Sequence, residues 1–451
     1  MSFQQALSGL NGASKNLEVI GNNVANSATY GFKMSRTEFA DMYAASLNGA
    51  GSSATGIGVN VAAVTQQFTQ GNITATENPM DLAVNGDGFF QVGNGIAPPS
   101  YTRNGQFKVV QGQGADADKR FITDNNGLFL LGIPAGQTTP GRLNLPTGRI
   151  AANPTSSMTL ELNLQADVKV LSNVTAPIEN AGDLNNSGVE RTVDYTTSQK
   201  LYDGKGQSVA MTYYFRKLAA DDPLAGGDAA RDSWSVYVTA NGTAVPTPAD
   251  GDPLQPAFIA RFDKTTGGSP DFLAPADPGT SLASPPLLSV PTTIDPVTGA
   301  VAEPIVNVDM KLGGVTQYAS PFGVTKVTQD GFPSGELQDF AIESGGAITA
   351  RYSNGQSQPA GQVQLVRFIN PQGLRPMGGN LWSSTVDSGA PTANNPGQGG
   401  SGELLQGSLE ESNVDLTAEL VNMITAQRVY QANAQTIKTM DQVLQTVVNL
   451  R

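Results

Sequence analysis

The chain of 451 residues has no cysteine and no histidine. Without cysteine there is no disulfide and no thiolate metal site. Without histidine there is no imidazole ligand and no histidine-based catalytic triad. Any metal would need oxygen ligands alone, and no carboxylate pair sits in a telling arrangement. No catalytic residue, metal, cofactor or small-molecule substrate is therefore assigned. Positive charge is also scarce: 26 Lys and Arg face 39 Asp and Glu, a net −13 with no basic block. Phosphate binding needs a positive field, so nucleic acid is excluded as a partner. No apolar run approaches the ~18–20 residues that span a bilayer. The opening MSFQQALSGLNGASK has neither a basic start nor a continuous apolar stretch, and is not read as a cleaved secretory signal.

Proline is missing from both ends. All 28 prolines lie between Pro79 and Pro396, so only the termini are free to form long helices. Both carry a heptad stripe. At the N-terminus Phe3, Leu10, Leu17 and Val24 are seven apart, with Ala6, Ala13 and Ile20 three residues after the first three. At the C-terminus Leu416, Met423, Tyr430, Ile437 and Leu444 are seven apart, with Leu420 beside them. Ala426, Met440 and Val447 fill the second column, which Glu419 and Asn433 interrupt. Ser412 or Asn413 is the expected cap of this helix. Gly9, Gly12 and Gly21 weaken the first helix by ~1 kcal/mol each against Ala. The stripes therefore need a surface from elsewhere, either from each other or from further copies of the chain.

What is plentiful lies between the ends. Hydrophobic residues are only 39%, and there are 51 glycines, which points to turns and β structure. MDLAVNGDGFFQV, YTRNGQFKV and ITDNNGLFLLG each read as strand, Asn-Gly turn, strand. Alternation marks further strands: Met158 to Leu164, Val209 to Phe215, Trp234 to Val238, and Val306, Val308, Met310 and Leu312. Thirteen prolines between Pro223 and Pro304 mark a loop-rich region at an outer surface. DSGAPTANNPGQGGSG, from Asp387 to Gly402, has the composition of a linker. Gly397, Gly399 and Gly402 within it spell G-x-G-x-x-G, but no strand precedes them and no helix opens on them. The stretch from Asp81 resembles a calcium loop at Asp81, Asn85 and Gly86, yet Ala83 and Val92 stand where ligands are required.

GNNVANSATYGFKMSRTEF, from Gly21 to Phe39, closely resembles the N-terminal signature of bacterial flagellar axial proteins, the rod and hook family. Its motif residues here are Asn23, Ala25, Asn26, Gly31, Phe32 and Lys33. NPMDLAVNGDGFFQV resembles the family's second motif, with Asn85, Gly86, Gly88, Phe89 and Phe90, and YTRNGQF follows it. GSLEESNVDLTAELVNMITAQRVYQANAQTIKTMDQVLQTVVNL resembles the third. The long central insertion is similar to that of hook proteins rather than the shorter rod proteins.

The resemblance implies an α+β multidomain fold. Terminal helices (1–28 and 410–451) pair as a coiled-coil-like core, followed by a connecting segment (29–71). An inner antiparallel β barrel or sandwich spans 72–145 and 319–386, an outer inserted β-rich domain spans 146–318, and a Gly/Pro linker spans 387–409. After the first helix, Asn22, Asn23 and Asn26 are expected to bond freed backbone groups and Gly31 to take a positive φ. Phe32 is expected to anchor the chain against a neighbour, with Lys33 in water.

The implied function is that of a structural subunit self-assembling into a curved tubular universal joint between rod and filament. The implied partners are itself, the distal rod, hook cap and hook–filament junction proteins, the hook-length ruler and the flagellar type III export apparatus. Phe3 and Leu7, four apart in FQQAL, resemble an uncleaved export signal. Two other readings stay open: another axial component such as the distal rod, and an extracellular β-rich adhesin or enzyme whose helices oligomerise.

Overall fold

The computed structural model describes residues 3–43, 56–95, 98–117, 119–171, 184, 192–228, 230–248, 253–275, 277–282 and 284–449. Helices stand at the two ends, α1 at Phe3–Ala25 and α2 at Leu416–Asn449, and the chain between them is mainly β. The chain divides into two compact units. The inner one comprises Met1–Thr147, Gln338–Arg351 and Ser357–Arg451; the outer one comprises Gly148–Leu337 and Tyr352–Gln356.

In the inner unit α1 leads through a turn into an antiparallel pair, β1 (Ser35–Tyr43) and β2 (Gly56–Gln66). The pair lies along α1. Gln5 Nε2 donates to the Gly56 carbonyl at 2.6 Å, and Val59 N donates to Ser8 Oγ at 3.3 Å. Helix α2 runs antiparallel to α1, with Asn433 against Gly9 and Glu419 against Asn23. These pairs are two heptads apart on both helices, so one register holds along the contact. Its start is set by Asp415, whose carboxylate accepts from Thr417 N at 2.9 Å and Ala418 N at 3.1 Å. Neither Ser412 nor Asn413 is the cap. Asn413 instead accepts from Met34 N at 2.7 Å and donates to the Gln67 carbonyl at 2.8 Å, so it serves the chain leaving β2.

The rest of the inner unit is a branched fourteen-stranded sheet with two small two-stranded additions. Its aromatic core joins Phe68, Phe89, Phe368 and Trp382 edge to face at 5.6–5.8 Å. Of the three Asn-Gly turns, only Asn126-Gly127 closes a hairpin, with Thr123 paired to Phe129. The strand Leu82–Asn85 pairs with Glu403–Gln406, not with Phe89–Gly93. The turn between them has two glycines at positive φ, Gly86 (+111°) and Gly88 (+136°), where a two-residue hairpin turn does not apply. Likewise Ser100–Thr102 and Lys108–Gln111 go to different partners across Asn104-Gly105.

The segment read as a linker is structured. Thr392–Asn394, Glu403–Gln406 and Ser408–Glu410 are paired strands, and Ser388 and Ser401 are buried. Backbone pairing needs no apolar side chains, so composition hid these strands.

In the outer unit a seven-stranded antiparallel sheet faces a five-stranded one across a shared core. The alternating sets Met158–Leu164, Val209–Phe215 and Trp234–Val238 all point into it. Val306 does not: it is 64% exposed, while Ile305 and Val308 are buried. Asn307 has φ +59° and shifts the register, which reverses the alternation at this point. The strand Gly323–Gln329, expected in the inner domain, pairs with Ser157–Gln165 of the outer unit. The outer unit therefore extends past Tyr318 to Leu337.

Candidate functional site

Three stretches far apart in sequence meet at one buried carboxylate. Glu410 and Lys33 side chains are both fully buried, and Lys33 Nζ donates to Glu410 Oε1 at 2.5 Å. Arg103 Nη1 donates to Oε2 at 3.1 Å, and Gly71 N donates to Oε1 at 2.9 Å. The Glu410 backbone carbonyl accepts from Gly31 N at 2.8 Å. Lys33 also donates to the Thr69 carbonyl at 2.7 Å, and Arg103 to the Gly86 carbonyl at 2.9 Å while lying over the Phe89 ring. A buried charge persists only when it is paired and hydrogen-bonded, and here one anion serves two cations. Burial pushes the Lys33 ammonium below its ordinary 10.5, against the pull of Glu410; the nearby Arg103 cation lowers it further.

Gly31 takes the positive φ expected of it, +69°, and a Cβ there would meet the Arg103 carbonyl carbon at 2.6 Å. The Asn-rich break thus ends α1 and delivers Gly31 and Lys33 to the ion cluster. The Asn26 side chain donates to the Asn22 carbonyl at 2.9 Å and closes the helix end as expected. Asn23 does something else. It both donates to and accepts from the Ser35 backbone, at 2.8 and 2.9 Å, and donates to Glu419 at 3.3 Å, so it ties α1 to β1 and α2. Phe32 is half-buried and Ala25 exposed. The placement of Lys33 corrects the expectation that it stands in water. Its partner lies 377 positions away, and no local composition reports it. The second motif brings Gly86, Phe89 and Phe90 to the same region, Phe90 packed edge to face on Phe107 at 5.2 Å, while Asn85 accepts from Gln70 Nε2 at 3.2 Å. Glu410 and Arg103 carried no assigned role in the sequence, although both lie within the quoted motifs.

The helix pair presents a second feature, an unfilled surface. On α1 the buried residues are Ala6, Ala13 and Ile20 together with Gly12, Val19 and Asn23. The contact line is rotated from the expected stripe, so Leu10, Leu17 and Val24 are half-buried, while Phe3 and Leu7 are exposed. On α2 the two polar interruptions lie on the contact itself: Glu419 is buried and Asn433 half-buried. Of the apolar column, Met423 and Ile437 are half-buried, while Leu416, Leu420, Tyr430 and Leu444 are exposed, as are Val421 and Ile424. A groove of about 600 Å³ runs between α1, α2 and β1, walled by Ala13, Val19, Ile20, Ala426 and Val429.

No helix is long and apolar enough to cross a membrane, and no cluster of carboxylates fit for a metal occurs among the described residues.

Four family profiles match in order along the chain. They are the flagella basal body rod protein over residues 3–33, the flagellar hook protein FlgE/F/G D1 domain over 83–170, the flagellar basal body protein FlaE D2 domain over 163–332, and the flagellar basal body rod FlgEFG protein C-terminal region over 405–450. The flagellar hook protein FlgE of Escherichia coli is 36% identical over the full length of both chains. That of Salmonella typhimurium is 35% identical, also over both full lengths. That of Treponema pallidum is 29% identical over all of this chain and 99% of its own.

Proposed function

Because the chain belongs to the flagellar hook protein family and is a structural subunit of the hook, we propose that its helix pair forms the core of a tube that acts as a universal joint between rod and filament. The observation that carries this is the outward face of α2. Leu416, Leu420, Val421, Ile424, Tyr430 and Leu444 are exposed along one 34-residue helix, far more apolar surface than a solvated helix keeps. Further copies of the chain supply the missing cover through head-to-tail contacts, which do not close and so build a filament. Tight helix packing resists torsion near the axis. The outer unit, rich in loops and prolines, slides as each row of subunits shortens and lengthens during rotation.

The partners in this reading are further copies of the chain, the distal rod protein below, and the cap, junction and length-ruler proteins during growth. Phe3 and Leu7, exposed on the first turns of α1, are the uncleaved signal read by the export apparatus. The proposed domain roles follow the two units, with the Lys33–Glu410–Arg103 cluster bracing the connection between helices and inner sheet. Complementation of a hook-less strain tests the whole reading. Curved tubes on the cell surface and restored swimming are expected. Straight tubes would reassign the chain to another axial segment, and absence of tubes with normal secretion would reject self-assembly.

A further inference from the structure

The groove between α1, α2 and β1 contains polar groups that the chain itself leaves underserved. Glu419, 6% exposed, lines it, and among the described residues its carboxylate accepts two side-chain amides, Asn23 Nδ2 and Asn422 Nδ2, each at 3.3 Å. No cation pairs with it among the described residues. Thr37, 8% exposed, lines the same groove, and its Oγ1 has no partner among the described residues. Arg36, also at the groove, is taken by Glu38 at 3.0 Å. The first turn of α2 offers its positive end to Glu419, but a buried carboxylate without a cation and a buried hydroxyl without a partner both remain costly.

The complementary orphan is on the outer face of α2. Arg428 is exposed and makes no hydrogen bond or ion pair among the described residues. It lies nine positions after Glu419 on one helix, about 13.5 Å along the axis, so it cannot reach the Glu419 of its own chain. One and two turns before it stand Ile424 and Val421, both exposed, so this face combines a guanidinium with aliphatic side chains. Lys438, the other cation of α2, has Gln431 and Ala434 at the corresponding positions. The groove asks for the first combination: aliphatic walls around an acceptor pair.

We propose that Arg428 of one copy enters the groove of a second copy and pairs with its Glu419, with Thr37 Oγ1 accepting a further guanidinium N–H. A guanidinium has five donors in a fixed fork and can serve a carboxylate and a hydroxyl together. The proposal rests on the reading of the chain as a self-assembling hook subunit and names one ion pair of that assembly.

The test is a double-mutant cycle on the full chain, reading the critical concentration for polymerisation by sedimentation. Glu419→Gln keeps the shape and one of the two amide contacts but removes the charge. Arg428→Gln removes no hydrogen bond or ion pair within one chain among the described residues. Each single change is expected to raise the critical concentration about tenfold or more, and the double change to be no worse than either single one. Circular dichroism and Trp382 emission of the unassembled variants should match those of the parent chain, which separates an assembly defect from misfolding. Arg428→Gln assembling at the parent's concentration overturns the pair, as do single effects that simply multiply in the double variant. If the parent chain itself never polymerises, the hook-subunit reading fails first and the pair falls with it.

Discussion

At the residue scale the decisive group is Lys33, fully buried against Glu410. Replacing it by Met leaves Glu410 with Arg103 alone, and breaking a buried pair from one side typically costs about 3–5 kcal/mol. Urea unfolding followed by Trp382 emission, in a Trp234→Phe background, should show a loss of that size; a loss below ~1 kcal/mol would mean water reaches the cluster. The same residue gives a pH signature. Its folded pKa lies below 10.5, so between the two values the unfolded chain binds more protons, and stability rises with pH across that window. The rise should vanish in Lys33→Met. Tyr101, whose pKa burial raises, acts oppositely above pH 10 in both proteins and cancels in the comparison. Phe3 belongs to another class. It is 46% exposed and lies off the helix contact, so Phe3→Ala should lower secretion while leaving the cytosolic level unchanged. Normal secretion with failed tubes would assign Phe3 to assembly alone.

At the scale of the element, α1 is a helix weakened on purpose at some places and by accident of sequence at others. Gly9 faces Asn433, and a Cβ there would come within 3.0 Å of that side chain. Gly21 has nothing within 4 Å. Gly21→Ala should therefore stabilise α1 by about 1 kcal/mol through helix propensity alone. Gly9→Leu should push α2 away and reduce helix content despite the same gain in propensity. Thermal melts by circular dichroism at 222 nm compare the two; a Gly9→Leu variant as helical as the parent would show that the two helices do not pair in solution. The β elements teach a different lesson. Asn-Gly announced three hairpins, but only Asn126-Gly127 closes one: Leu82–Asn85 pairs with the distant Glu403–Gln406, and Lys108–Gln111 pairs with Arg120–Thr123 that follows it.

For the whole molecule, the outer unit is an insertion whose two ends are neighbours. Ile150 and Gly335 exchange backbone hydrogen bonds of 2.9 and 3.1 Å, so the chain enters and leaves at one place. A deletion joining Thr147 to Leu337 spares the helices, the ion cluster and the strands of the inner sheet. It is expected to be secreted and to form tubes that are narrower and straighter than those of the full chain, as seen by electron microscopy, with poor swimming. A folded, secreted deletion protein that forms no tubes would show that the outer unit carries assembly contacts.

The sequence by itself determined the terminal helices, the β character of the middle, the turn at Gly31 and the family, because each is written in local signals: proline placement, heptad and two-residue periods, and contiguous motifs. It did not determine which strands pair across Asn85-Gly86 and Asn104-Gly105, that 392–410 is sheet rather than linker, or that Lys33 is buried. Only the tertiary structure decided these. Strand partners and ion pairs here join positions more than three hundred residues apart, and backbone pairing and buried charge depend on what the fold brings near, which no window of the sequence contains.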